Sequence, residues 1–399
     1  MKLLSKFAMK PIAGPTSRQF ISFLIAAAVL FVFAAGVASA QTPAPAKPLL
    51  SDQAFKNVKV LKGIPVDEFM ATMGFFSSSL AENCLYCHVL ESAGDWSKFA
   101  EDNAHKDTAR RMILMVNAIN KNYFNGRREL TCYSCHRGGQ KPKVTPSLVD
   151  LYGPVPPDDT PDAMVPAAPK TAAPEQVLDR YLEAMGGTQK VAALTSFTAK
   201  GIYQGFADER VPMEMYAKAP NQHVTISHGG SGDTITTFDG AMGWIAGPAT
   251  ERPVQVFEMT GGDLDGAKLD GELFFPARIK QALTQWRSLL PTTIDDKDVV
   301  LVQGTMNGRY PVDLYFDEKT NLLVRSLRFA DSPVGLTPTQ VDYSDYRDVA
   351  GVKMPFKRVI SWVDGRVIIE LSEIQPNVTV DAARFAKPAP PVTKRAQAK

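Results

Sequence analysis

Two stretches in the first third of the chain carry apolar residues at helical spacing. One is residues 65–80 (PVDEFMATMGFFSSSL) and the other is residues 107–124 (DTARRMILMVNAINKNYF). Apolar side chains three and four positions apart share one face of a helix, so both stretches are predicted to be amphipathic helices. The faces consist of Val66, Phe69, Met70, Met73, Phe76 and Leu80 in the first, and of Met112, Met115, Val116, Ile119 and Tyr123 in the second.

The pattern changes after residue 174. Residues 176–184 keep a helical spacing, but from Thr195 onward short runs such as HVTISH and PVDLYFD alternate between apolar and polar positions. Gly, Pro, Asn or Asp bounds each run, which is typical of an antiparallel sheet. Residues 276–290 interrupt these runs and are predicted to form a helical insert. The second half of the chain is therefore expected to be β-rich with a few helices.

Proline-rich segments separate these regions. Residues 142–174 contain nine prolines, and residues 41–48 (QTPAPAKP) form a shorter segment of the same kind. Proline fixes φ and lacks an N–H donor, so the two segments are predicted to be an extended linker and a spacer. The C-terminal residues 387–399 (KPAPPVTKRAQAK) are predicted to be disordered.

Composition and charge narrow the class of protein. The chain has 399 residues, of which 45% are hydrophobic and 22% charged, and its formal net charge is +2. That length and composition are enough for two domains with real cores. A net charge this close to zero gives no sign of a nucleic-acid binder.

The N-terminus has the features of an export signal. Basic residues up to Arg18 precede an uncharged run, residues 20–40, which ends in Ala38-Ser39-Ala40. A basic flank, an apolar core and an A-x-A end are typical of a secretory signal peptide. An uncleaved anchor is the alternative, because about 20 apolar residues can span a bilayer. In either case the rest of the chain is expected to be exported to the periplasm, with residues 20–40 as a tether if they remain.

All four cysteines lie in two pentads, CLYCH at residues 84–88 and CYSCH at residues 132–136. Two disulfides within the pentads would close very small loops and leave the histidines unexplained. A zinc ribbon uses paired cysteines, but this interval is long for one, and zinc needs no histidine after each pair.

Attachment of c-type haem gives every residue of the pentads a role. Two thiols form thioether bonds with the porphyrin, and the following histidine binds the iron. The sequence therefore predicts two covalently bound haem c groups. The attachment residues are Cys84, Cys87, Cys132 and Cys135, and the proximal iron ligands are His88 and His136.

The sixth iron ligand is open at this point. Electron-carrying haem c commonly takes Met or a second His there. His105 lies in a polar stretch and is expected to be exposed, while His223 and His228 lie in the β-rich region. Methionine is therefore the first candidate, but each predicted helix offers two, and a methionine at helical spacing is more often part of a core.

Residues Asn57–Gly139 resemble the tetrahaem cytochrome c subunit of photosynthetic reaction centres. The resemblance rests on NVKVLKGIPVDEFMATM, NCLYCH, ARRMILMVNAINKNY and LTCYSCHRG, in which a methionine-bearing helix precedes each pentad. It implies that Met73 and Met112 are the distal ligands and that Met70 and Met115 pack. It also implies that Arg110 and Arg111 face haem propionates, a solvated face being the alternative.

This sequence departs from the family in one respect. The second pair of haem motifs is absent, and Asn125-Gly126 stands where the family has a histidine that reaches another haem. The loss of a haem together with its ligand is consistent with a self-contained dihaem module.

The β-rich region resembles the lipoprotein-sorting (LolA/LolB-like) group in VLDRYLEAMGG, MEMYAKAPN and YSDYRDVAGVKMPF. This resemblance implies an incomplete barrel around a pocket for a lipid or another apolar ligand; a solid docking domain is the alternative. His223 and His228 are expected to be structural, and Trp244 and Trp362 to be core aromatics. No catalytic set stands out.

The expected fold class is therefore multidomain: a small, mainly-α multihaem cytochrome c domain, followed by a β-rich α+β domain with an antiparallel, incomplete-barrel-like sheet. The expected boundaries are a signal peptide or anchor at 1–40, a spacer at 41–54, the dihaem domain at 55–141, the linker at 142–174, the β-rich domain at 175–386 and the tail at 387–399.

The predicted function is single-electron transfer between periplasmic partners, without enzymatic activity. The expected partners are electron donor and acceptor proteins, including a membrane-bound reaction centre or respiratory complex. The alternatives are a dihaem peroxidase, in which one iron has a displaceable ligand, and an apolar-ligand-binding protein whose haems sense redox state.

Overall fold

The structure is a computed structural model that describes residues 47–146 and 171–394, apart from 206–207 and 307–308. The predicted export signal at 1–40 and most of the predicted linker lie outside the described residues. Among the helices of the described ranges, none is both long and apolar enough to cross a bilayer.

The first region, up to residue 146, is helical. Its α-helices are α1 (Ser51–Ala54), α2 (Val66–Leu80), α3 (Cys84–Cys87), α4 (Ala104–Tyr123) and α5 (Cys132–His136). Short 3-10 helices at Leu90–Ala93 and Trp96–Ala100 connect α3 to α4. The helix α1 lies within the predicted spacer, and its buried Ser51 donates a hydrogen bond to the carbonyl oxygen of Leu61 at 2.6 Å.

The two predicted amphipathic helices are α2 and α4. Helix α2 begins after Pro65 and ends at Leu80, and the next residue, Ala81, has a positive φ of 53°. Helix α4 begins three residues earlier than predicted, because the side chain of Asn103 accepts the N–H of Lys106 at 2.9 Å and caps it. It ends before Asn125-Gly126, as predicted.

The apolar faces of both helices are only partly buried by protein. In α2 the buried residues are Val66, Asp67, Thr72, Gly74, Phe75 and Ser79. In α4 they are Ile113 and Asn120. Met70 is 38% exposed and Met115 is 44% exposed. The expectation that both methionines pack stays a prediction.

The second region is a β-sheet with helices. Helices α6 (Pro174–Ala184) and α7 (Thr188–Ala193) precede it, and helices α8 (Gly261–Phe274) and α9 (Ile279–Ala282) lie between its strands. The strands are β1 (Ser196–Gln204), β2 (Arg210–Lys218), β3 (Gln222–Gly229), β4 (Gly232–Phe238), β5 (Gly243–Ala246), β6 (Val256–Glu258), β7 (Thr284–Ser288), β8 (Thr292–Ile294), β9 (Lys297–Thr305), β10 (Pro311–Asp317), β11 (Leu323–Ser332), β12 (Gly335–Val349), β13 (Val352–Trp362) and β14 (Gly365–Pro376).

Antiparallel pairing joins all 14 strands of the described ranges into one sheet. The order is β6-β5-β4-β3-β2-β1-β14-β13-β12-β11-β10-β9-β7, and β8 pairs with β9. The edge strands β6 and β7 do not pair with each other, so the sheet is an open, incomplete barrel. The predicted fold class is confirmed: a helical region followed by a large antiparallel sheet with helices.

The core of the sheet region lies between one face of the sheet and its helices. Leu178 and Tyr181 of α6 and Leu269 of α8 pack with Phe197 and Phe316 of the sheet in one buried cluster. Burying side chains of this size contributes about 1.5–3 kcal/mol each. This cluster fixes α6 and α8 against the sheet.

The predicted helical insert at 276–290 is misplaced. The long helix is α8, which precedes it, and residues 284–288 form strand β7. The sequence of α8, GGDLDGAKLDGELF, does not predict a helix, because it contains several glycines and glycine is a poor helix former. One of them is required by packing: a Cβ at Gly271 would lie 2.2 Å from the carbonyl oxygen of Asn221.

Two further expectations are wrong. Residues 387–394, predicted to be disordered, run beside the sheet, and Lys394 donates its backbone N–H to Ser231 at 2.9 Å. The side chain of Gln255 donates a hydrogen bond to the carbonyl oxygen of Pro391 at 3.2 Å. Trp244 is buried as expected, but Trp362 is 40% exposed because β13 ends there.

Candidate functional site

The first pentad forms helix α3, a single helical turn. The side chain of Asn83 caps it by accepting the N–H of Leu85 at 2.9 Å. Cys84 and Cys87 are three residues apart, and residues at this spacing on a helix are neighbours on one face. The local fold therefore presents both thiols on the same side of the turn.

His88 directly follows this turn and is oriented by the backbone. Its Nδ1 lies 3.1 Å from the carbonyl oxygen of Phe99, and the two rings lie 4.7 Å apart. A histidine that donates from Nδ1 keeps the lone pair of Nε2 for a metal. Burial lowers the pKa of His88, so its ring favours the neutral form that binds metals.

The second pentad repeats this arrangement in helix α5. Thr131 caps it, and the helix ends at Arg137, where φ is 49°. The chain then turns back, so that Nδ1 of His136 lies 3.0 Å from the carbonyl oxygen of Gly139. The N–H of Gly138 donates to the carbonyl oxygen of Ser79 at 3.0 Å and so fastens the pentad to the end of α2.

All four cysteines are free thiols, so the disulfide alternative is not formed in this structure. Burial raises the pKa of both Cys87 and Cys132, which keeps these thiols protonated. Across the described ranges, no three His, Cys, Asp or Glu side chains converge in a way that could hold a metal ion. The two cysteine pairs therefore do not meet in one four-thiolate site.

The candidate methionines differ in exposure. Met73 and Met112 are half-buried, whereas Met70 and Met115 are exposed. Each of the four lies on the apolar face of its helix, which is only partly buried. The choice of Met73 and Met112 as ligands stays a prediction.

His105 is exposed, as expected, and belongs to α4. Its ring stacks on that of Tyr86 at 4.2 Å, and its Nδ1 lies 2.7 Å from the carbonyl oxygen of Tyr86. Arg110 pairs with Asp102 and Asp107, at 2.7 Å each. Lys59 and Arg110 hold the pKa of Asp102 well below its usual range.

Arg111 donates to the hydroxyl of Thr108 at 2.9 Å. The guanidinium of Arg110 is thus engaged by carboxylates, and that of Arg111 has only a neutral partner. The expectation that these arginines face haem propionates stays a prediction.

The residues present fit covalent haem c. Each pentad offers two neighbouring thiols and a histidine whose Nδ1 bonds a backbone carbonyl. The methionine-bearing faces of α2 and α4 are partly exposed, with Met70 at 38% and Met115 at 44%. Apolar helix faces of this kind suit the flat, apolar face of a porphyrin. When bound, haem would supply an iron centre that gains and loses one electron.

The helical region is joined to the sheet region by polar contacts that sequence reasoning missed. Both carboxylate oxygens of Asp67 accept from the hydroxyl of Thr260, at 2.9 and 2.8 Å. Trp96 donates from Nε1 to the carbonyl oxygen of Ala249 at 2.9 Å. In the sequence, Asp67 looks like an ordinary acidic residue of a first helical turn. Its burial in the structure is what indicates a role in joining the two regions.

The cavity inside the sheet region is small, about 40 Å³, and is lined by side chains that include Tyr181, Met215, Phe274, Tyr343 and Arg358. A volume of this size holds a few water molecules at most. The expected binding of a lipid or another apolar ligand stays a prediction.

Two histidines of the sheet region have structural partners. His223 is buried, and its Nε2 lies 2.8 Å from the carbonyl oxygen of Ala267. His228 pairs with Asp233 at 3.1 Å.

The sheet region is similar to solved structures of lipoprotein-sorting proteins. One is the LolA superfamily protein NE2245 from Nitrosomonas europaea, with 14% identity, a TM-score of 0.36, and coverage of 54% of this chain and 99% of that one. Another is a putative outer membrane lipoprotein-sorting protein domain from Vibrio parahaemolyticus, with 11% identity, a TM-score of 0.37, and coverage of 54% and 97%. Both TM-scores are below 0.5, so the architecture rests on the observed strand order alone.

The helical region is similar to known proteins in sequence. The family model described as photosynthetic reaction centre cytochrome C subunit matches residues 29–193. The subunit of that name from Roseobacter denitrificans (strain ATCC 33942 / OCh 114) is 32% identical over 146 residues, which are 33% of this chain and 38% of the relative. That from Thermochromatium tepidum is 38% identical over 97 residues, 23% of each chain.

The chain thus spans well under half the length of these curated relatives. The two pentads and their oriented histidines lie within residues 29–193, the part of this chain that is similar to the photosynthetic reaction centre cytochrome c subunit family.

Proposed function

We propose that this protein is a periplasmic c-type cytochrome that carries two covalently bound haem c groups and passes single electrons between redox partner proteins. Cys84 and Cys87 would attach one haem, with His88 and Met73 as its axial ligands. Cys132 and Cys135 would attach the other, with His136 and Met112 as its axial ligands. The sequence relationship over residues 29–193 supports the cytochrome assignment.

The observation that carries this proposal is the shared orientation of the two pentad histidines. Nδ1 lies 3.1 Å from the carbonyl oxygen of Phe99 in one and 3.0 Å from that of Gly139 in the other. Donation from Nδ1 leaves Nε2 of each ring as the ligand atom. A backbone carbonyl as the partner also increases the ligand strength of the imidazole, which tunes the redox potential.

The axial ligands determine whether such a protein carries electrons or catalyses a reaction. With His on one side and Met on the other, no coordination position is left for a substrate, which favours an electron carrier. A peroxidase needs a vacant or displaceable position on one iron. The donor and acceptor would be redox proteins, and we include a membrane-bound reaction centre or respiratory complex among them.

Electronic spectroscopy of the purified full chain tests this function. Ferric haem with Met ligation shows a weak Met-to-iron charge-transfer band and is low-spin. We expect that band, and complete reversible oxidation and reduction of both haems. A ferric spectrum that lacks the band and is dominated by high-spin haem would favour the peroxidase instead.

A further inference from the structure

The turn between β11 and β12, residues Ser332–Gly335, reaches from the sheet into the helical region. It is closed by its own hydrogen bonds: Oγ of Ser332 donates to the carbonyl oxygen of Gly335 at 2.6 Å and accepts the N–H of Val334 at 3.4 Å. Ser332 is 2% exposed and Val334 is 7% exposed. A turn with an apolar side chain this well buried is packed against something.

Its neighbours belong to the second pentad and to the helix that carries Met73. A Cβ at Gly335 would lie 2.7 Å from the ring of Phe75 in α2 and 3.1 Å from Cγ2 of Thr131, the residue that caps the second pentad. Beside the turn, Asp331 pairs with Arg128 at 2.5 Å. The turn thus packs against the segment that enters CYSCH.

A small cavity places the same turn beside the attachment residue itself. Pro333 and Val334 line it on the sheet side, and Ile113, Val116 and Cys132 line it on the helical side. Ile113 and Val116 belong to α4, the helix that carries Met112. The turn therefore lies against both elements from which the second haem would be held.

We propose that the β11–β12 turn is a wall of the second haem site and that the apolar side chain of Val334 in this wall raises the redox potential of that haem. The proposal rests on the proposed function. Oxidised haem carries one more positive charge than reduced haem, and apolar surroundings that exclude water disfavour the more charged state. An apolar wall at Val334 thus favours the reduced form.

The first haem site has a different wall. Phe99 lies beside His88, and Trp96 stacks on Phe99 at 5.1 Å, so this wall comes from the helical region. A change at Val334 should therefore affect one haem and spare the other, whereas general loosening of the fold would affect both.

The test is a potentiometric titration of the full chain with the substitution Val334→Thr. Threonine keeps the shape of valine but has a hydroxyl group in place of one methyl group. Val349 supplies the matched control. It is also 7% exposed, but it lies at the far end of strand β12, whereas Val334 directly precedes the first residue of that strand. A variant with Cys132 and Cys135 replaced by alanine identifies which midpoint belongs to the second haem.

We expect Val334→Thr to lower the midpoint of the second haem, with a several-fold rise in its ferric-to-ferrous ratio at a fixed potential, and to leave the first unchanged. Val349→Thr should move neither midpoint, and Val334→Ile, which keeps the wall apolar, should leave both near the original values.

The proposal is overturned if Val334→Thr moves neither midpoint, or moves both equally, while both haems remain attached. If Val334→Thr does not accumulate as folded protein, Val334→Ser provides the same comparison, because it also places a hydroxyl group in the wall. A pyridine haemochrome assay that finds no covalent haem would instead reject the proposed function itself.

Discussion

The carboxylate of Asp67, in the helix that carries Met73, accepts hydrogen bonds from both the hydroxyl and the backbone N–H of Thr260, which precedes helix α8 of the sheet region. The two residues are 193 positions apart. Burial raises the pKa of Asp67 to about 6, because loss of hydration outweighs the bonds from Thr260. This bond links the helical region to the sheet region through a single titratable group.

The effect of Asp67 on stability should therefore depend on pH. An acid whose pKa is raised by folding binds its proton more tightly in the native state, so its stabilising effect is complete below about pH 4 and is lost as pH rises through about 6. Between pH 4 and pH 6 the contribution of Asp67 to the free energy of unfolding changes by about 3 kcal/mol. Relative to Asp67→Asn, the original protein should thus gain in free energy of unfolding from pH 7 to pH 4, as measured by denaturant titration.

Asp263 and Glu68 lie at the same junction, and burial raises the pKa of both. They should add to the pH dependence of both the original protein and Asp67→Asn. The difference in free energy of unfolding between these two proteins therefore isolates the contribution of Asp67. Asp313→Asn is a matched comparison: burial also raises the pKa of Asp313, so the same direction of pH dependence is expected, but its partner Gln303 lies within the sheet and not across the junction. An Asp67→Asn difference that stays constant from pH 4 to pH 7 would contradict the prediction.

Methionine ligation should be separable at the two haems. Replacing Met73 or Met112 by histidine should lower the midpoint potential of one haem only, because Met raises the potential relative to a second His. The same replacements at the exposed residues Met70 and Met115 are controls that should leave both midpoints in place. A potential that responds to Met115 but not to Met112 would reject the ligand assignment.

Close packing at Gly335 predicts a stability effect. In Gly335→Ala the new methyl group would lie 2.7 Å from the ring of Phe75, so either the turn or α2 must shift. Overpacking of this kind costs about 1–3 kcal/mol. Thermal unfolding should show a lower Tm, whereas Gly94→Ala, with nothing within 4 Å of the new atom, should change it little.

The packing of α6 on the sheet predicts a larger effect. Leu178 is fully buried, with 0% exposure, in the main core. Leu178→Ala should lower the free energy of unfolding by about 2–5 kcal/mol, since it removes buried surface and leaves a cavity. Leu290→Ala, at a residue that is 58% exposed, should have little effect in the same denaturant titration.

Local chemistry explains which features the sequence could predict. The pentads, the helices α2 and α4 and the alternating strands depend on residues a few positions apart, and each was predicted close to its observed place. The faces of α2 and α4 that are buried were not predicted, because they depend on partners distant in sequence. Thr260, which bonds Asp67, is one such partner. Helix α8 was hidden because Gly271 meets the backbone of Asn221, a contact no local pattern reveals.

The role of the β11–β12 turn was hidden for the same reason. Pro333 and Val334 read as an ordinary hairpin connection, and only the folded chain places them beside Cys132. The sequence therefore predicts the pentad residues of the candidate site, because their cysteines and histidines show their chemistry directly. It does not predict the contribution of the β11–β12 turn, which comes from a distant part of the chain.

The number of covalent haem groups per chain is the most direct test of the account. The full chain, expressed in a host that matures c-type cytochromes, should give about two haem c per polypeptide in a pyridine haemochrome assay. Replacement of Cys84 and Cys87 by alanine should remove one, and replacement of all four cysteines should remove both. A chain that carries no covalent haem, or the same amount after loss of either pentad's cysteines, would contradict the central claim.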